Sequence, residues 1–459
     1  MKARAGLALL ALMVVVGGVG CGLNMERNYQ NLRPKLLDHD YKDAVAYVDK
    51  TKTTFYDKDN RLLFYMDKAM VLHLAGSYRE SNAVLEQAKS TAEELWTESV
   101  GKNALAWVTT DNSLPYQGED FEKVMLHVLG ALNYVGLQDV DAARVEARQV
   151  TAKLELYNSK YEDEHKSVYK DDAFARWLSG KLRATDEESA ALNDAWIDYR
   201  KAIAVYEDDY AKRYKTPLPR FLVEDAMRAL AALGPDFADE YQQLRGAYPS
   251  ITVPTAEESD KRGEVVLIHL SGEAPYKRDL FWTAQSPAGI LRIAYPEFVP
   301  KSHAIQQVRL SLGGAQATSE VAENVTAIAL QNLADRMGRI KAKAIARAVS
   351  KFVAAKGMQA GGKALGNKGG NSAGAGAALQ VAGALFEIGN AVAEESDKRS
   401  WITLPAQINV ARLFVPPGPF VIQAEFLGPR GEVIERTELR GEVAAGKTAC
   451  SGEGEPIGR

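Results

Sequence analysis

The hydrophobic period changes between Pro249 and Gly263, and no other feature limits the fold as strongly. From Asn24 to about Tyr248, apolar residues recur every three or four positions, as in Leu62–Leu74, Asn82–Leu95, Val124–Val135 and Trp196–Tyr206. That is the period of helices packed by one face. Pro217, Pro219, Gly234-Pro235, Pro249 and Pro254 interrupt it, and 252–262 is polar and charged, so a boundary falls at 250–263. Beyond it come short runs rich in branched side chains: Glu264–Leu270, Ala304–Leu312, Gln407–Val415, Phe420–Phe426 and Glu432–Leu439. Pro416-Pro417-Gly418 and Gly428-Pro429-Arg430-Gly431 read as the turns of two hairpins. The expected fold class is therefore α+β, with a helical domain over 21–250 and a sandwich-like β-rich domain over 263–324 plus 400–450.

A helical hairpin over 325–399 is expected to interrupt the β-rich part. Val325–Lys356 reads as a basic helix carrying Arg336, Arg339, Lys341, Lys343, Arg347 and Lys351, and Ala377–Ala393 as an apolar one. Between them, Gly362, Gly366, Gly370 and Gly374 fall at four-residue steps, the spacing that lets helices touch closely in membranes. Lys363 and Lys368 interrupt that segment, and the uncharged run 369–386 sits at the lower edge of a span. The preferred expectation is a Gly-rich linker between two antiparallel helices, with membrane contact as the alternative.

Within the helical half the spacing repeats. Tyr65, Ala69 and Leu72 stand on one helix, Gly76 and Tyr78 make a turn, and Ser81, Leu85 and Ala88 line the next helix. Ala131 and Tyr134 precede a turn at Gln138–Val140, and Ala143 and Ala147 follow, while Asp40–Ala44 matches the second half of a further hairpin. The pattern resembles tetratricopeptide repeats, in which small residues let paired helices approach. Irregular intervals leave a generic helical bundle as the alternative. Tyr65, Leu72 and Tyr134 are the candidate partner-binding residues.

The start of the chain reads as an export signal: a basic opening at Lys2 and Arg4, an apolar core from Ala5 to Val16, and small residues from Gly17 to Gly20. Residues 1–20 are expected to be removed. Val19-Gly20-Cys21 resembles the end of a bacterial lipobox, whose cysteine thiol carries a diacylglycerol. Gly18 stands where that motif usually has Leu, so ordinary secretion stays open. Gly22 in place of Asp favours, by the same resemblance, the periplasmic face of the outer membrane. Lipidation of Cys21 would leave Cys450 as the only other thiol, so packing rather than a disulfide must hold the fold.

Lys plus Arg number 56 and Asp plus Glu 60; losing Lys2 and Arg4 makes the balance more acidic and leaves no electrostatic footprint for nucleic acid. Gly441–Thr448 fits the P-loop pattern, but the motif requires a helix after it and only 11 residues follow. Gly357–Lys363 ends in Ala364 without the magnesium-binding hydroxyl, and Gly370-Asn371-Ser372-Ala373-Gly374 lacks the strand that a nucleophile elbow needs. The six His fall in no metal-binding spacing. The clusters 162–164 and 186–188 read as solvated acidic faces. Trp96, Trp107, Trp177 and Trp196 read first as packing residues and only second as sugar platforms. Neither catalysis, a metal nor a cofactor is expected.

Asp139–Arg148 (DVDAARVEAR), Gly272–Lys277 (GEAPYK) and Asp397–Arg412 (DKRSWITLPAQINVAR), followed by Pro417-Gly418, resemble an uncharacterised family of bacterial lipoproteins. The resemblance covers nearly the whole mature chain and implies a lipid-anchored N-terminus, tetratricopeptide-like helices and a β-rich C-terminal region. It carries over no active site. The expected function is a cell-envelope scaffold or assembly factor that binds other envelope proteins and reaches the membrane through its lipid. The alternatives are a membrane-active component working through the Gly-rich hairpin and a glycan-binding protein.

Overall fold

The computed structural model describes residues 21–101, 114–160, 169–185, 189–255, 258–259, 261–286, 289–366 and 395–453. The first half is helical: α1 (Cys21–Leu37), α2 (Tyr41–Lys50), α3 (Arg61–Leu74), α4 (Tyr78–Gly101), α5 (Asp120–Gly136), α6 (Val140–Lys160), α7 (Ala173–Arg183), α8 (Ser189–Val205), α9 (Arg220–Leu233) and α10 (Ala238–Ala247). Each helix packs against the next.

Three of the turns between them share one geometry. His39, Gly76 and Gln138 all take positive φ, at 59°, 71° and 60°. In each turn the following N–H donates to the carbonyl five residues back, from Asp40 to Lys35, Ser77 to Leu72 and Asp139 to Tyr134, at 2.9 Å. This closure satisfies carbonyls that the helix end leaves orphaned. Five residues beyond each turn residue stands a small, fully buried side chain: Ala44, Ser81 and Ala143. The hydroxyl of Ser81 donates to the carbonyl of Ala69 across the helix pair, at 2.8 Å. The same joint therefore recurs even though its spacing along the chain is irregular.

A Cβ at Gly76 would meet nothing within 4 Å, so Gly76→Ala tests the backbone alone. It is expected to cost about 1 kcal/mol, and Gln138→Gly to recover a similar amount, read from urea midpoints at constant m.

The second half holds β1 (Gly263–Ser271), β2 (Tyr276–Ser286), β3 (Gly289–Val299), β4 (Gln307–Leu312), β5 (Ala315–Thr318), β6 (Glu320–Glu323), α11 (Val325–Gly366), β7 (Gln407–Val415), β8 (Gly418–Leu427), β9 (Val433–Val443) and β10 (Thr448–Glu453). They form two four-stranded sheets, ordered β10-β1-β7-β6 and β5-β4-β8-β9, and a β2-β3 hairpin. β10 joins β1 in parallel; β1 and β7 pair antiparallel over their full length.

β1 is buried at every position. Its Val265 and Leu267 share a core with Val308 and Leu310 of β4 and with Ile422, Ala424 and Phe426 of β8. On the other face, Val266, Ile268 and Leu270 join the core of the helical half. The unbroken apolar run of this strand is what a middle layer requires. One core thus runs from α1 into β7, and the helices are fused to the sheet.

Three expectations shift. β7 and β8 lie in different sheets, so Pro416-Pro417-Gly418 carries the chain from one sheet to the other and only the β8-β9 hairpin forms. No strand is expected beyond Leu439, yet Thr448–Glu453 forms β10. The helix expected to end at Lys356 runs on to Gly366, through part of the expected Gly-rich linker. Interspersed Ala, Leu, Met, Gln and Lys are strong helix formers and offset the roughly 1 kcal/mol that each Gly costs. The remaining linker and the expected helix Ala377–Ala393 lie outside the described residues. Among the described residues, no helix is long and apolar enough to cross a membrane.

Candidate functional site

A cleft of about 830 Å³ opens where α1, the start of β2, the loop at 300–302 and the segment 395–403 meet. Its volume is that of a small-molecule or lipid site. Leu32, Leu36, Ile402 and the ring of Tyr29 give it an apolar side. Charged side chains occupy the remainder, and their pairing sets what the cleft presents. Glu273, only 5% exposed, takes Arg33 Nε at 2.6 Å on one side and Lys301 on the other. Asp279 accepts from Ser396 N at 2.8 Å and Oγ at 2.7 Å, and pairs with Lys398 Nζ at 2.7 Å. Arg33 and Arg278 are 47% and 57% exposed. The two carboxylates thus lie beneath, and the guanidinium groups lie outermost.

Behind this lining sits a buried polar wall. Asp67, on α3, accepts from Tyr29 Oη at 2.7 Å, Tyr56 Oη at 2.8 Å and Thr403 Oγ1 at 2.7 Å. Burial pushes its carboxyl up to about 6, and these hydroxyls offset part of that rise. Lys277 reaches inward to Glu119 and to the carbonyl of Arg399, at 3.0 Å to the latter. Burial alone would raise Glu119, but Arg336 and Lys277 hold it well below the usual carboxylate range. Three residues on, Glu122 accepts from the backbone N–H of Glu119 at 2.9 Å and of Trp401 at 2.7 Å, which is also how the N-terminus of α5 is closed. Burial, then the charge of Glu119, pushes Glu122 up to about 7.

Chemically the cleft is equipped to bind. Thr403 Oγ1 donates to Asp67 and accepts from Trp401 Nε1 at 2.9 Å, so its proton and one of its two lone pairs are committed. Among the described residues, no group of three or more His, Cys, Asp or Glu is placed to hold a metal ion. Burial pushes the Cys450 thiol up to about 11, which leaves it protonated and weakly nucleophilic at neutral pH.

A second buried cluster fuses the helices to the middle sheet. Lys181 (α7), Arg228 (α9) and Arg412 (β7) face Glu224, Asp225 and Glu264. Arg412 lies 2.6 Å from Asp225, Lys181 2.5 Å from Glu264 and Arg228 2.6 Å from Asp225. Three cations meet three carboxylates, and Trp177 Nε1 donates to Asp225 and Thr448 Oγ1 to Glu264, each at 2.9 Å.

Of the residues singled out from sequence, Leu72 is buried, while Tyr65 and Tyr134 are half-buried against the main core. They do not line the cleft. Trp177 and Trp196 are buried and Trp96 packs on the core, while Trp107 and the acidic clusters at 162–164 and 186–188 lie outside the described residues. Lys447 and Thr448 of the P-loop match lead into a strand, and the GxSxG match at 370–374 lies outside the described residues. Sequence reasoning missed Asp67, Glu119, Glu122, Lys277 and Arg399. A signal existed for Lys277, Arg399 and Trp401, because they fall in two of the segments that carry the lipoprotein resemblance.

Compared with protein-family models, curated proteins and solved structures, the chain matches none.

Proposed function

We propose that this chain is a lipid-anchored protein of the bacterial cell envelope, related to the uncharacterised lipoproteins it resembles, that serves as a non-catalytic interaction scaffold. In this reading Cys21 carries the lipid, the helices form a tetratricopeptide-like array, and the two four-stranded sheets form a sandwich that stiffens it. The observation that carries the reading is the recurrent joint at His39, Gly76 and Gln138, each followed five residues on by a fully buried small residue. Such an array presents helix faces to partners. Val145 and Leu156 of α6 are 51% and 38% exposed. They stand three helical turns apart on one face and are the partner-facing positions of this reading.

The test is a pull-down from detergent-solubilised envelopes with the wild-type chain and with Val145→Glu/Leu156→Glu. A reproducible partner captured by the first and lost from the second is expected; no partner with either would sink the scaffold reading. Cys21→Ser is expected to move the chain from the membrane to the soluble fraction.

A second reading, a membrane-active component, draws on α11, which carries eight cations against Asp335 alone. It also draws on Phe281 and Trp282, which are 46% and 50% exposed on the neighbouring hairpin. Flotation of Cys21→Ser with anionic vesicles separates the two readings.

A further inference from the structure

We infer that the cleft beside α1 binds an amphiphilic anion, a molecule with an acyl chain and a carboxylate or phosphate head. The inference deepens the proposed function and rests on it for one point, the nearness of a bilayer. α1 starts at Cys21, and its cleft residues run from Tyr29 to Leu36. At 1.5 Å per residue they lie about 12–22 Å along the helix from the lipid-bearing position.

The chemistry of the lining selects the ligand. Five cations, Arg33, Lys277, Arg278, Lys301 and Lys398, stand against three carboxylates, Glu273, Asp279 and Glu395. Lys277 is spent on Glu119 in the interior, and Arg278, 57% exposed, pairs with Glu297 at 2.7 Å just outside the lining. Of the carboxylates, Glu273 and Asp279 are the covered partners of their pairs: Arg33 is 47% exposed over a Glu273 at 5%, and Lys398 is 21% exposed over an Asp279 at 11%. The two guanidinium groups, Arg33 at 47% and Arg278 at 57%, are more exposed than Glu395 at 34%, and they are what an approaching head group meets first. Arg is suited to that contact, since its planar fork accepts carboxylate or phosphate in two parallel hydrogen bonds.

Leu32, Leu36, Ile402 and Tyr29 form a close-packed floor, 1% to 9% exposed, and Tyr276, 41% exposed, and Pro300 supply the open apolar surface that an acyl chain needs. Each methylene buried there contributes about 0.8 kcal/mol. A purely apolar ligand would leave the cations unused, and a purely anionic one would leave the apolar wall wet. An amphiphile satisfies both.

The experiment uses the full mature chain in a non-ionic detergent below its lipid-displacing concentration. Calorimetric titrations are made with palmitate, with lysophosphatidylglycerol, with uncharged monopalmitoylglycerol and with an acidic peptide lacking an acyl chain. Saturable binding of one or both anionic amphiphiles is expected, and the stronger of the two names the head group. Binding should weaken about tenfold in Arg33→Gln/Arg278→Gln, the loss of roughly one charge-assisted contact. Thermal melts of that variant, whose two changes are half-exposed, check that it folds. No saturable binding of either anion, equal binding of monopalmitoylglycerol, unchanged affinity in the folded variant, or equal binding of the peptide would each overturn the inference. Labelling with radioactive palmitate during growth reads Cys21 separately. A labelled chain that binds no anion removes the cleft assignment alone, and an unlabelled chain that binds removes the anchor alone.

Discussion

Arg412→Met is expected to destabilise the chain by about 3–5 kcal/mol, the cost of breaking a buried ion pair from one side. Arg412 is 5% exposed and meets three carboxylates, Glu224, Asp225 at 2.6 Å and Glu264 at 3.4 Å. Methionine replaces its length without its charge. Lys181 and Arg228 then face three carboxylates, of which Asp225 and Glu264 are buried at 3% and 7% exposure and Glu224, 18% exposed, keeps its outward pair with Arg220. Burial by itself would raise Asp225 and Glu264; at present Arg412 and Lys181 reverse that for the first, and Lys181 and Arg228 for the second. A companion variant, Arg412→Met/Glu264→Gln, restores the balance of two cations to two carboxylates. It should recover part of the loss, and the remainder measures the lost hydrogen bonds. Urea unfolding followed by Trp fluorescence reads the effect well, because Trp177 donates into the cluster through Asp225. A single-variant loss below 1 kcal/mol would mean that the cluster is hydrated and does not fuse the helices to the sheet.

The cluster also shows why the sequence spoke clearly about elements and poorly about sites. The apolar run of β1 and the three-to-four period of the helices are local signals, and both appear where expected. The turn at Gln138 was legible too, since its spacing matched Gly76 although its residue type did not. Charges in the interior were not. Arg412 meets a carboxylate 187 residues away, Lys277 one 158 away and Arg336 one 217 away. No window of sequence holds both partners, and a charged residue alone reads as surface. β10 was missed for a related reason: its TACSGE carries no strand pattern and is extended because β1 offers it a parallel edge. Leu72 and Tyr134 stand at matching positions, each four residues before its turn, while His127 stands where the first copy has Tyr65; Tyr65 and Tyr134 pack on the main core, and packing repeats as faithfully as binding does.

Stability is expected to fall as pH rises from 6.5 to 8, above the range in which the buried histidines add to it. Burial pushes Asp67 and Asp172 up to about 6, burial and then Glu119 push Glu122 up to about 7, and burial and then Asp172 drive Glu323 well above its ordinary range. In the unfolded chain all four titrate near 4. At these four groups the folded chain therefore binds more protons across that window, whereas His73 and His269, which burial lowers to about 4 and about 3, and His127 and His303, which burial also lowers, bind fewer protons folded than unfolded below about pH 6.5. The stability the four carboxyls contribute is fully present below about pH 4 and is lost as pH rises through the folded values. Two units on Asp67 alone amount to about 3 kcal/mol. Glu119, Glu264, Asp225 and Asp397 act in the opposite sense. Their cations overcome burial and hold them low, so their contribution is present above about pH 4.5 and is lost as pH falls. The histidines add stability up to about pH 6.5 and nothing further beyond it, so the loss from the raised carboxyls governs from pH 6.5 to 8. Urea midpoints at pH 5, 6.5 and 8, at one ionic strength, read the slope directly. Asp67→Asn should be less stable at pH 5, because its amide nitrogen faces hydroxyls that now donate to a carboxyl oxygen, and its profile should be flatter above that pH. A wild-type midpoint unchanged from pH 6.5 to 8 would show that Glu122 and Glu323 are reached by water, and with Glu122 the wall behind the cleft.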